Sequence, residues 1–287
     1  LKLNKKGQTV VEVVILISFS LIVVIATTYF AFNVLEYQSE LSEYESAKSA
    51  LEKLTLLIEN VANSKGSSGY VPIYIRAGSL YLVSDSEQVR ITVNNQSLCN
   101  STSASLIKFM GGRLVGTADF RLIRPTSQDL GSSVGLSDIY TKYLIIDSNE
   151  SLPLGWVYEM QKNGAYVVVD FGRIMVTYSG VFNYSCIDTN GNVKVNQLYN
   201  VVEVTYIKLT RGSTYGSGSS LKVVAKCKDI SFSSKQFDNV SSLTFTVIRG
   251  SNSQSYGPLN LHSKIDGKTI LGTIVNFSLI EVEISSY

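Results

Sequence analysis

The chain has 287 residues, a net charge of +2 and only 17% charged residues, where an average soluble domain is about a quarter charged. That balance excludes a basic field of the kind that recruits nucleic acid, and the polar surface must come from Ser, Thr, Asn, Gln and 17 tyrosines, which titrate little. Cys99, Cys186 and Cys227 lie far apart and His262 is the single histidine, so no Cys/His spacing for zinc is present.

The first element occupies 10–32, VVEVVILISFSLIVVIATTYFAF. As a helix it reaches ~35 Å, against a hydrocarbon core of ~30 Å. Lys2, Lys5 and Lys6 precede it, Glu12 is its one charge, and the next charge is Glu36. The lysines favour an orientation with the N-terminus inside and the remainder outside. The run exceeds the 7–15 apolar residues of a cleaved signal, and no small-residue cleavage site follows it. An acid within a spanning helix is costly and normally has a partner.

The helical pattern continues past Phe32 without Pro or Gly to residue 63. Leu41, Tyr44, Ala47, Leu51, Leu54, Ile58 and Val61 step by three or four residues and form one apolar stripe. Most of the charges, Glu36, Glu40, Glu43, Glu45, Lys48, Glu52, Lys53 and Glu59, fall off it. The spacing predicts one helix over 10–63, with a bend expected near Thr27-Thr28 or Asn33, since Thr hydroxyls bond back to the i−4 carbonyl. Ser64-Lys65-Gly66 supplies its stop.

From Ser67 the character changes to short alternating runs separated by turn signals such as Asn163-Gly164 and Asp266-Gly267. Strands are expected at 70–76, 79–84, 88–93, 119–124, 140–146, 166–170, 173–178, 199–209, 221–228, 243–248, 268–275 and 277–284. The Gly/Ser tract 212–220 reads as the loop of a long hairpin between the strands ending at Leu209 and beginning at Leu221. The fold class is therefore α+β. A helical segment over 1–66 precedes an all-β, sandwich-like head over 67–287, in one lobe or two.

No GxSxG, P-loop or HExxH motif occurs, and no carboxylate pair stands out, so no catalytic residue, metal site or cofactor is expected. Six positions fit Asn-x-Ser/Thr and mark candidate glycosylation: Asn95, Asn100, Asn149, Asn183, Asn239 and Asn276. All lie in the head. Asn95 and Asn100 flank Cys99 in an expected loop, and Asn276 lies in a strand. A Cys186–Cys227 disulfide is one reading of the cysteines, because both sit in strand-like segments of the same half; three buried thiols is the other.

The local sequence Lys5-Lys6-Gly7-Gln8-Thr9-Val10-Val11-Glu12 resembles the processing site of prepilins, especially archaeal type IV pilin-like proteins. The resemblance covers about 25 residues. It implies a prepilin peptidase that cuts after Gly7, so that Gln8 opens the mature chain and Glu12 is its fifth residue. A cut upstream of Leu1 is the alternative, which would keep Lys5 and Lys6 where they could neutralise Glu12 of a neighbour. It further implies a subunit that waits in the membrane and is then polymerised by assembly machinery into a surface filament of identical copies. Glu12 would set register and the glycosylated head would face outward for adhesion. A monomeric, signal-anchored surface glycoprotein or binding module is the alternative; it has no need of the helical continuation beyond Phe32.

Overall fold

The computed structural model describes residues 5–126, 128–131, 133–187, 193–214, 220–265 and 267–287. Helix α1 runs from Lys5 to Ala62 as a single α-helix, about 87 Å of rise. It is continuous through Thr27, Thr28 and Asn33, and the Thr27 hydroxyl donates back to the Val23 carbonyl at 2.8 Å. It stops where expected. Gly66 takes a left-handed φ of +84°, and its N–H donates to the Cys227 carbonyl at 2.9 Å. That conformation suits glycine because no Cβ opposes it.

The rest of the described chain is β-rich. One six-stranded sheet has the order β1 (Ser68–Tyr74), β10 (Ser220–Asp238), β15 (Gly272–Ser286), β9 (Val193–Thr214), β8 (Ile174–Ile187), β5 (Ile145–Asp147). Within it β15 runs parallel to β9 and β5 parallel to β8. A seven-stranded antiparallel sheet has the order β12 (Asn252–Asn260), β11 (Ser242–Arg249), β2 (Ser79–Val93), β3 (Gln96–Met110), β7 (Ala165–Asp170), β6 (Trp156–Gln161), β4 (Phe120–Arg124). A short helix, α2 (Leu136–Thr141), and a two-stranded ribbon of β13 (Lys264–Ile265) and β14 (Lys268–Thr269) complete it.

Four expectations need correction. In place of the strand expected over 140–146, residues 136–141 form helix α2, and only Ile145–Asp147 is strand. The loop expected around Cys99 is the start of strand β3. Val93 pairs with Gln96, so only Asn94 and Asn95 turn, both with positive φ, which asparagine tolerates. The Ser/Asn-rich run hides this strand, whose partner β2 supplies the ladder. The third is the hairpin expected between Leu209 and Leu221. Both flanks are strands, but β15 lies between them, hydrogen-bonded to each. A strand from the C-terminus enters the middle of the sheet, which local pattern cannot announce. The fourth is the Cys186–Cys227 disulfide. Cys227 is a buried free thiol opposite Val282, which pairs with Leu209, whereas Cys186 pairs with Lys194. At ~3.3 Å per residue, Lys194 and Leu209 are about 50 Å apart along β9, far beyond the ~7 Å Cα limit of a disulfide.

The long strands share one axis and divide the core into stages. At the near end, where α1 enters, the helix lies between the sheets. Tyr44, Leu51, Leu54 and Ile58 pack on Phe109 and Val167 of one sheet and on Ile73, Val223 and Val282 of the other. Beyond the end of α1 the sheets meet directly, Val89, Ile91 and Phe245 against Val202, Val204 and Phe277. β10 continues from Cys227, level with Gly66, to Asp238, so the head projects about 35 Å past the helix. The outer face of β3, β6 and β7 is covered too, by Ile139, Ile146 and Leu152 over Trp156, Tyr158 and Val168. Covering on both faces explains the unbroken valines of Ala165–Asp170, since neither face needs polar residues.

A buried ionic cluster bolts β2, β7 and β11 together. Asp170, Arg173 and Arg249 have fully buried side chains. Arg249 Nη1 donates to both Asp170 oxygens at 3.0 and 2.8 Å, Arg173 Nη2 donates to Oδ2 at 3.1 Å, and the Gly172 N–H donates to Oδ1 at 2.8 Å. Arg249 Nε donates to Glu87. The guanidinium groups lie over aromatic rings, Arg173 on Trp156 at 4.5 Å and Arg249 on Tyr140 at 4.7 Å.

Candidate functional site: the uncovered half of the long helix

Helix α1 has two halves with opposite environments. From Val10 to Gln38 nearly every side chain is exposed; Ile15 is 62% and Phe30 70% accessible. From Glu40 onward the stripe is inside, and Leu51, Leu54 and Ile58 are fully buried. Burying one such side chain is worth roughly 1.5–3 kcal/mol, so a handful of those between Val10 and Phe32 already matches the 5–15 kcal/mol net stability of a domain. Water is not the resting environment of this half. It is long and apolar enough to cross a membrane.

The two halves form one rod because the second is keyed into the head by carboxylates. Glu43 accepts the backbone N–H groups of Arg76, Ala77 and Gly78, each at 2.9 Å. Glu40 accepts the Leu114 N–H at 2.7 Å, and it lies so close to Gly112 that a Cβ there would meet the carboxylate at 2.5 Å. Glu59 accepts the Gly155 N–H at 2.9 Å and pairs with Arg124 at 2.5 Å. Tyr44 donates to the Tyr166 carbonyl at 3.2 Å, and burial pushes its phenol up to about 12, so it remains a donor. Lys48 reaches Glu159, itself buried and paired to Arg121 at 2.6 Å. These contacts fix both the rotation and the height of α1 against the β sheets.

The sequence reading counts Glu40, Glu43 and Glu59 among charges that fall mostly off the apolar stripe and gives them no role; they are the docking residues it missed. The available signal was their spacing: Glu40 and Glu43 lie four residues before Tyr44 and Ala47, and Glu59 three before Ala62, on the side of the helix that is buried.

The other expected site residues fall as follows. Leu1 lies outside the described residues. Gly7 and Gln8 are in the first turns of α1. Glu12 is exposed on the uncovered half. Asn95 and Asn239 are exposed in turns with positive φ, Asn149 is exposed in the 3-10 turn Ser148–Glu150, and Asn183 is exposed on β8. Asn100 is in β3, and the placement of its side chain lies outside the description. Asn276, on β15 in the interior of the six-stranded sheet, is half-buried and accepts the Ser234 hydroxyl at 2.7 Å.

Among the described residues no group of His, Cys, Asp and Glu is arranged to hold a metal ion. His262 is exposed, its ring 6.0 Å from that of Tyr178. A cavity of about 740 Å³ opens between Asn60, Arg124 and Glu150 above Leu152, Ile207 and Ile280. Two of its carboxylates are already engaged, Glu59 as above and Asp129 with Thr126. The chain matches no known family model, no curated protein and no solved structure.

Proposed function

We propose that the chain is a structural subunit of an extracellular type IV pilus-like filament, polymerising through α1 and presenting its β head outward for adhesion. The observation that carries this reading is the rigid continuity of α1: an apolar half with no cover inside the chain leads without a break into a half locked inside the head. A lone membrane anchor works through any tether. A polymer needs the helix held at fixed height and rotation so that each copy repeats the same contacts, and Glu40, Glu43 and Glu59 supply that constraint.

In this mechanism the helix first occupies the membrane, oriented by Lys2, Lys5 and Lys6. A prepilin peptidase cuts after Gly7, the reading that the basic-Gly motif favours, and assembly machinery transfers the helix from lipid into a bundle of identical helices. Lipid is as apolar as leucine, so the exchange gains from side-chain packing rather than from expulsion of water. Side chains that are apolar on all sides suit a position with neighbours all round. Heterologous contacts that do not close produce a helical filament. Glu12 is a strong register element here, because its charge is costly unless it meets a cation from the same or an adjacent copy.

Electron microscopy of material shed from the cell surface, with peptide mass spectrometry of the same fraction, tests the proposal. Filaments built from this chain are expected. Recovery of the chain only as dispersed membrane protein, with none in filaments, would establish the anchored monomer instead.

A further inference from the structure

The six Asn-x-Ser/Thr positions are scattered over nearly two hundred residues of sequence, yet strand register gathers them into the half of the head remote from the uncovered helix. The near end is marked by the contacts of Glu43 with Arg76 and Gly78, beside the start of β2; β10 begins and β3 and β15 end on the same side. At the far end Asp238 pairs with Gly272, Gly272 with Tyr199 and Tyr199 with Phe182. Asn239 and Asn183 therefore stand at the same level across four adjacent strands, of which β8 and β9 run on beyond them to the pair Ile187 and Val193. Asn95 is in the β2–β3 turn at this end, tied through Asn94 to Thr244 at 2.9 Å. Asn149 follows β5, whose Asp147 is level with Val176, Val204 and Phe277, still in the far half.

Within that set the sites are not equivalent, because attachment to a folded chain requires access to the asparagine and to the hydroxyl two residues on. Asn149, Asn183 and Asn239 are exposed, and so are Ser151, Ser185 and Ser241. Asn95 is exposed, but the Ser97 hydroxyl is buried. Asn276 is half-buried and engaged by Ser234.

The geometry points to an N-glycan crown on the far half of the head, carried on Asn183 and Asn239 with Asn149 on its flank, leaving the end next to the uncovered helix bare. The donor is a lipid diphosphate-linked oligosaccharide. The asparagine Nδ2 forms a bond to the anomeric carbon, the bond from that carbon to the diphosphate oxygen breaks, the lipid diphosphate leaves with the electron pair, and the Nδ2 proton passes to a base of the transferase. A crown so placed hydrates the projecting tip while keeping bulk away from the zone where neighbouring heads and helices must approach. The inference rests on the reading that the head is exported, but not on polymerisation.

Site-resolved glycopeptide mass spectrometry of the full chain from native surface material tests it. Occupied Asn149, Asn183 and Asn239 with bare Asn95 and Asn276 is the expected pattern, and Asn239→Gln should remove one glycan mass without changing filament yield. Bare Asn183 and Asn239 in an exported chain overturns the crown, and occupancy at Asn276 or Asn95 overturns the need for an exposed asparagine and an exposed hydroxyl. Filaments without glycan would sink this inference alone; a glycosylated chain that never polymerises would sink only the filament.

Discussion

Replacing Asp170 by Asn tests whether the buried cluster holds the head together. In the native chain burial opposes the charge of Asp170, but Arg249, Arg173 and the hydrogen bonds they and Gly172 donate outweigh it, bringing the carboxyl down from 3.8 to about 2. A group whose folded value is depressed contributes stability that is present above its unfolded value and is lost as pH falls through the folded one. Here the window is between about pH 4 and pH 2, and the contribution is roughly 2 kcal/mol. Asp170→Asn goes further, because it leaves two buried guanidinium groups with Glu87 as their remaining carboxylate. Removing one partner of a buried ionic set costs roughly 3–5 kcal/mol. Trp156 is the single tryptophan, fully buried with Arg173 over its ring at 4.5 Å, so its fluorescence reports the site directly. Urea titration of the full chain in nonionic detergent should show Asp170→Asn destabilised by that amount at pH 7, with a flatter response between pH 4 and pH 2 than the parent. A loss under about 1 kcal/mol, or an unchanged acid response, would refute the reasoning.

Further outcomes are expected. Glu43→Ala leaves the Arg76, Ala77 and Gly78 amides without their acceptor and should cost about 1–3 kcal/mol, seen as faster amide exchange at 76–78 than at β9. Leu54→Ala opens a void where helix and both sheets meet and should cost about 2–5 kcal/mol in the same urea titration; by the same packing, a chain starting at Leu35 should fold and stay dispersed without detergent, whereas one starting at Ser67 should not fold. Glu12→Ala should reduce filament yield while the Trp156 unfolding midpoint stays unchanged, since Glu12 lies on the uncovered half, and undiminished yield from that variant would remove Glu12 from assembly.

Much of this organisation was legible in the sequence. The stripe from Tyr44 to Val61 is buried as its spacing predicts, because helical period is a local property and each residue's face follows from its neighbours. The uncovered run 10–32 was equally plain, since composition alone makes it intolerable in water. Most alternating runs became strands for the same reason: period two decides which side chains share a face.

What the local pattern could not contain was the choice of partner. Nothing in Gly272–Ser286 marks it for insertion between β9 and β10, and Cys186 and Cys227 look compatible until that insertion separates them. Glu43 reads as one more acid off the apolar stripe until three amides of the β1–β2 connection close around it. Asp170, Arg173 and Arg249 read as scattered charges until β7 and β11 are brought together. The sequon cluster is likewise invisible along the chain. Periodicity is set by residues within a turn or two of one another, whereas strand order and buried charge pairing depend on contacts across a hundred residues or more. Those contacts are selected by the packing of the whole core, so only the tertiary structure decides them.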